Sequence, residues 1–312
     1  MKEKNLKGNI FWGAMFLSGL LSALLLVFLF HKMTDISRPF PSFSSQSTSS
    51  TESLKPVFRI GVVSRFPPTF IYKGYQPVMD YLTLNTPYRF ELQLSKSYKQ
   101  TVEQLVSGEV VAAFLGSFIF AREAQNHRLR CILRPLSAGG RPLLQAVVIC
   151  KAEIGLHSIA DLKGKKVALP SALSFSSNWF LNRALPENGL TQSQLDSVHH
   201  FAHHHTVVYE VLKGNFDAGV VKDRVANEFR NRGIRVFARS EPIPSSPMVV
   251  SDQSPQAVVQ AIQTALLKID ASQPRYQKML SEWDAEFAYG FAPAQNEDYD
   301  LLLPLVNARE AP

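Results

Sequence analysis

From position 57 onward, short apolar runs alternate with stretches whose hydrophobic residues recur at helical spacing. "VFRIGVVS" (57–64) is an apolar run ending in small polar residues and predicts a buried strand. In "YQPVMDYLTLN", Val78, Tyr81 and Leu82 share one helical face. "RFELQLS" (89–95) alternates as a strand does. In "KQTVEQLVSG" (99–108), Val102, Leu105 and Val106 mark a helix that Gly108 can stop. "EVVAAFLG" (109–116) reads as a third strand. Strand, helix, strand, helix, strand predicts a parallel sheet with crossover helices.

"RCILRPL" and "LLQAVVICK" are two further strand-like runs, separated by "SAGGRP". A second β/α series then fills residues about 152–235. "SIADLKGKKVALP" gives a short helix, a glycine turn and a strand. "SSNWFLNRAL" gives a helix, "SVHHFA" a strand, "HTVVYEVLKG" a helix and "NFDAGVV" a strand. "IRVFARS" (234–240) adds a strand and "SPQAVVQAIQTALLKID" (254–270) a long amphipathic helix, with more helical sequence to about 309.

The two series echo each other. Tyr98 precedes Gly108 by ten residues, and His204 precedes Gly214 by ten. Each segment is a polar residue, an amphipathic helix, a glycine and a buried strand, so the halves read as two copies of one α/β lobe. Tyr98 and His204 then stand between a strand's carboxyl end and a helix N-terminus, where open parallel sheets bind ligands. Helix N-termini present N–H groups and positive dipole ends, which favour anions. "ALSFSSNWF" supplies a third such loop. Ser174, Ser176, Ser177 and Asn178 all suit an N-cap. Three hydroxyls exceed what capping requires, so ligand contact stands beside capping as a reading of this turn.

The N-terminus has a different pattern. Lys2, Lys4 and Lys7 precede "IFWGAMFLSGLLSALLLVFLF", Ile10 to Phe30, 21 residues without a charge. At about 1.5 Å per residue this helix spans a hydrocarbon core of about 30 Å. The lysines place residues 1–9 in the cytoplasm and the chain beyond residue 30 on the exported side. The run is longer than a signal-peptide core, and "FLFHKM" offers no small-x-small cleavage site. An uncleaved anchor over 10–30 is therefore expected, with a cleaved signal peptide as the alternative. Residues 31–56 include "DISRPFPSFSSQSTSSTESLKP", rich in Ser, Thr and Pro. They predict a flexible tether, because so little apolar surface cannot offset the entropy of ordering. The C-terminal domain is expected in the periplasm or an equivalent extracytoplasmic space, on the inner membrane.

Composition narrows the function. The formal charge is +7, but Lys and Arg are scattered rather than clustered beside aromatics, so no nucleic-acid partner is expected. The two cysteines, Cys131 and Cys150, form no CxxC pair. "RCILRPLSAGGRPLLQAVVICK" is nearly symmetric about Gly140, so antiparallel pairing would oppose the two thiols. A disulfide and two buried thiols in separate strands both remain open. Five of the eight histidines lie between Val198 and Val221, without a Cys or acidic residue at ligand spacing. No metal and no cofactor are expected. No GxSxG, P-loop or HExxH motif occurs, and an enzyme is not expected.

The stretches "FRIGVVSRFPPTF", "SYKQTVEQLVSGEVVAAFLGSFIFAREAQ" and "IGLHSIADLKGKKVALPSALSFSSNWF" lead in order to "AHHHTVVYEVLKGNFDAGVV" and "RSEPIPSSPMVV". In this order, from about Phe58 to Tyr299, the chain resembles the phosphate/phosphite/phosphonate (PhnD-like) periplasmic substrate-binding proteins of ABC transporters. The resemblance implies an α/β, type II-like clamshell over 57–312 with a small anionic ligand between its lobes. Lobe 1 is expected at about 57–148 plus 238–312 and lobe 2 at about 152–235, with "LLQAVVICK" and "IRVFARS" as the crossing strands. The family's oxyanion contacts match Tyr98, the serine turn at Ser174 and Ser176, and His204. Ser177 and His205 join the expected site, although Ser177 replaces a glycine of the family and His205 an acid. Phe175 stands in place of a threonine. The implied function is delivery of a phosphate-, phosphite- or phosphonate-like anion to an ABC permease. The alternative is a ligand sensor signalling to a membrane partner such as a kinase or cyclase.

Overall fold

The computed structural model describes residues 55–63 and 68–308, with position 25 standing alone. The anchor expected over Ile10–Phe30 and the tether to residue 54 otherwise lie outside the described residues. Among the described residues no helix is long and apolar enough to cross a membrane.

β1 (Val57–Val62) buries its second half, as an apolar run ending in a loop should. α1 (Pro68–Asn85) begins before the stretch that the spacing marked, with Pro68 at its start and Pro77 inside it. Its buried stripe is Ile71, Tyr75, Val78, Met79 and Leu82, the spacing of one helical face. β2 (Arg89–Leu94), α2 (Tyr98–Val106) and β3 (Ala112–Phe114) come next, and β1 pairs in parallel with both β2 and β3. β3 is shorter than the apolar run "EVVAAFLG", because Val110 and Val111 are buried beside the sheet rather than within it. α3 (Ser117–Glu123) and β4 (Leu129–Pro135) complete the first passage through this lobe.

The chain crosses over in β5 (Leu143–Leu144) and enters a second sheet with β6 (Ala146–Lys151) and β7 (Lys166–Leu169). α4 (Phe175–Trp179) continues through a π turn at Phe180–Ala184 into Leu185–Glu187. β8 (Ser197–His200), α5 (His204–Lys213), β9 (Ala218–Lys222), α6 (Asp223–Glu228) and β10 (Ile234–Arg239) finish the second lobe. Its sheet runs β10-β6-β9-β7-β8. α5 stops at Gly214, whose φ of 79° is the left-handed conformation that glycine adopts without strain. Gly219 in β9 lets α5 lie close. A Cβ there would stand 2.6 Å from Val207 Cγ1.

β11 (Ile243–Pro244) returns the chain and pairs with β5 alone. β12 (Met248–Ser251), α7 (Gln256–Leu267), α8 (Pro274–Leu280), β13 (Phe291–Pro293) and α9 (Leu303–Ala308) belong to the first lobe, whose sheet order is β13-β4-β12-β3-β1-β2. The crossing point differs from the expected one. β6 pairs along its length with β9 and β10, so residues 146–148 and 238–239 belong to the second lobe. The boundary is the β5–β11 ladder. The run "LLQAVVICK" covers both the crossover and the sheet strand, and Gln145 alone interrupts its apolar residues at the change. A side-chain clasp does mark it in space: Gln145 Nε2 donates to Ser240 O at 2.6 Å, and Ala146 N donates to Ser240 Oγ at 2.9 Å.

The symmetric pairing around Gly140 does not form. Cys131 lies in β4 opposite Val249, and Cys150 lies in β6 opposite Ala218 and Arg235, so the thiols sit in different sheets and both are free. "RCILRPL" and "LLQAVVICK" separate because each strand finds a buried partner in its own lobe. Burial, reinforced by the charge of Asp298, pushes the Cys131 thiol up to about 12. Burial also raises Cys150.

Candidate functional site

Helix N-termini from both lobes meet at one small cavity. α2 begins with Tyr98, after Ser97 has capped it by accepting from Gln100 N. α5 begins with His204, which is 2% exposed. α4 begins at the serine turn. Tyr98, Ser174, Ser176 and His204 all line the cavity, although 106 positions separate Tyr98 from His204 in the chain. Phe175 forms part of the same wall and is buried.

The turn divides its hydroxyls between capping and the cavity. Ser174 is the N-cap: its Oγ accepts from Ser177 N at 3.1 Å and donates to Ser177 Oγ at 3.1 Å. Ser177 Oγ donates onward to Pro170 O at 3.0 Å, away from the cavity wall. Asn178 Nδ2 donates to Ala172 O and Ser174 O. The cap is thus complete without the Ser176 hydroxyl. Ser177, expected at the site, is a structural residue of this turn. Successive helical residues are rotated by about 100°, so three serines in four positions cannot share one direction.

His205 also leaves the expected set. Its Nε2 meets Glu228 Oε2 at 2.8 Å, and its ring stacks on Phe70 at 6.0 Å. Burial alone would raise the Glu228 carboxyl, but the His205 hydrogen bond and the charges of Arg224 and His205 outweigh it and hold the group below its usual range. His199 and His200 are exposed on β8, an edge strand; the His199 ring lies 4.6 Å from that of Phe201. Among the described residues no group of three His, Cys, Asp or Glu could hold a metal ion.

His204 has a defined tautomer. Lys222 N donates to its Nδ1 at 3.4 Å. A backbone N–H is always a donor, so Nδ1 carries the lone pair and Nε2 the proton. The ring can therefore donate to an anion while neutral, without a second proton.

Two residues at the cavity escaped the sequence reading. Ser117 begins α3 and binds the crossover through Ser117 Oγ to Pro244 O at 2.8 Å. Its signal was present, a polar residue just after the strand run "EVVAAFLG". Lys222 ends β9, and nothing local distinguishes it from a solvated lysine. Its Nζ donates to Ser246 Oγ at 2.8 Å and lies 3.5 Å from Glu286 Oε1. Tyr75 OH donates to Glu286 Oε2 at 3.2 Å. The contact of Lys222 with Glu286 and that of Arg224 Nη1 with Asp284 Oδ1 at 3.4 Å join the second lobe to the first.

The cavity holds about 20 Å³, room for about one water. Leu144 and Lys222 also line a second cavity of about 510 Å³ beside the crossover, in the size range of small-molecule sites. Its wall carries Arg224, Glu228 and Glu286.

Similar proteins share this architecture. PhnD1 from Prochlorococcus marinus, solved in complex with methylphosphonate, superposes with a TM-score of 0.71 at 14% identity, covering 81% of this chain and 98% of that one. A binding-protein component of an ABC phosphonate transporter from Pseudomonas aeruginosa gives 0.70 at 14% identity, over 80% and 85%. The phosphate-import protein PhnD of Mycolicibacterium smegmatis is 24% identical over 253 residues, 73% of this chain and 78% of that protein. The two sheets joined by a short crossover are thus the two-lobed α/β fold of periplasmic binding proteins. The family model for phosphonate periplasmic substrate-binding proteins of ABC transporters matches residues 60–299, and the chain belongs to that family.

Proposed function

We propose that this protein binds a phosphorus oxyanion between its lobes and delivers it to an ABC permease. The observation that carries this reading is the meeting of Tyr98, Ser176 and His204 at one small cavity, each from the start of a different helix. Hydroxyl, imidazole N–H and helix N-termini are donors suited to an anion with several equivalent oxygens. The family match favours transport over the sensing alternative. Thermal unfolding of the full chain with phosphate, phosphite, methylphosphonate and sulfate tests the ligand. A true ligand at 100 times its Kd stabilises by about 2.7 kcal/mol. Unchanged melting with all three phosphorus anions would refute the reading.

In this reading the domain works from the outer face of the inner membrane, held by Ile10–Phe30 through the Ser/Thr/Pro-rich tether. The uncharged run and the missing cleavage site support that placement. Full-length protein should remain with washed membranes, its C-terminal domain digested only by protease added outside the cytoplasm. A mature N-terminus between Lys32 and Pro56 would rule out the anchor.

A further inference from the structure

We infer that Lys222 supplies the positive charge that holds the oxyanion, and that Glu286, in the other lobe, competes with the ligand for that charge. The inference rests on the oxyanion reading above and names the residue that sets charge preference within it.

Lys222 runs from one cavity to the other. Its backbone N–H meets His204 on the small cavity's wall, while its ammonium meets Ser246 and Glu286, the latter on the wall of the large cavity. It is the sole Lys, Arg, Asp or Glu among the described residues lining the small cavity. The lysine and glutamate side chains are 11% and 8% exposed. Charges so withdrawn from water need a compensating partner. Each is a partner of the other, and Tyr75 donates to the carboxylate.

The other polar residues at the cavity, Tyr98, Ser176 and His204, can match oxygen positions, but none carries the permanent charge of a lysine. Discrimination by charge therefore falls to Lys222. An anion arriving there meets an ammonium whose field is partly cancelled by Glu286. Low polarity around the pair makes both the attraction and the cancellation stronger than in water. The two residues should consequently act on affinity with opposite signs. A purely structural ion pair would behave differently: loss of either partner would harm the closed form alike.

The test is calorimetric titration of the full chain in detergent with methylphosphonate and with inorganic phosphate. Wild type, Lys222→Gln and Glu286→Gln are compared, each first checked by thermal unfolding. Lys222→Gln should weaken binding about tenfold or more, the scale of one charge-assisted bond. Glu286→Gln should tighten it severalfold. Equal affinities in all three proteins, or weakening by Glu286→Gln, overturn the inference while leaving the oxyanion reading intact. Failure of wild type to bind either anion overturns both. Should Lys222→Gln not fold, the sign of the Glu286→Gln change decides alone.

Discussion

Phe287→Ala should lower folding stability by about 3–5 kcal/mol, the usual cost of truncating a buried phenylalanine. Phe287 is fully buried, and its ring centroid lies 4.9 Å from Tyr75, 5.0 Å from Phe114 and 5.4 Å from Phe291. These rings come from α1, β3, the Ala285–Phe287 turn and β13, so one side chain joins four separate segments of the first lobe. Truncation would remove its contacts with all of them and leave a void that close-packed neighbours fill only in part. Single domains are stable by about 5–15 kcal/mol in total, so the loss is a large fraction. For a domain of this size it corresponds to a fall in Tm of roughly 6–20 °C. Circular dichroism melts of the full chain measure it. A shift under about 2 °C would mean that the ring is not the packed centre described. The same turn carries Glu286, and Tyr75, which packs edge-on against Phe287, donates to that carboxylate. The variant should therefore also disturb the Lys222–Glu286 contact at subdenaturing temperature.

His204→Ala should weaken anion binding by about tenfold or more, from a bond to a charged acceptor of about 1.5–3 kcal/mol. The ring is buried, lines the small cavity, and accepts from the Lys222 N–H at Nδ1. Its removal also leaves the Lys222 N–H without this acceptor, which adds a stability loss. Titration with methylphosphonate, beside a melting curve, separates the two effects. His199→Ala is the control. That side chain is exposed on an edge strand and packs only on neighbouring aromatic rings of its own lobe. Equal effects of the two substitutions would remove His204 from the site.

Much of the architecture was legible in residue pattern. The helices that begin at Tyr98 and His204, their glycine stops, and the alternation of buried strand and crossover helix depend on neighbours within a few residues. The internal echo between the Tyr98 and His204 segments was legible for the same reason. It placed both residues at helix starts, and the structure brings both to one cavity. The strand ends were less legible. "LLQAVVICK" is interrupted before its last residue only by Gln145, and one polar residue also fits a continuous strand, so the pairing of Ala146–Lys151 with β9 and β10 is what separates the crossover from the lobe.

The chain order of apolar and polar residues, then, determined alternating strands and helices in two series, with helix starts at Tyr98 and His204, because those features arise from local backbone preference and burial. Tertiary structure decided which side chains face inward together. Ser176 faces the cavity and Ser177 does not, because one helical step rotates a side chain by about 100°. His204 lines the cavity while His205 turns to Glu228. Cys131 and Cys150 part because each strand pairs within its own sheet. Lys222 meets Glu286 across 64 positions of chain, one residue from each lobe. Such a contact is fixed by the packing of two lobes in space, and no short window of sequence carries that information.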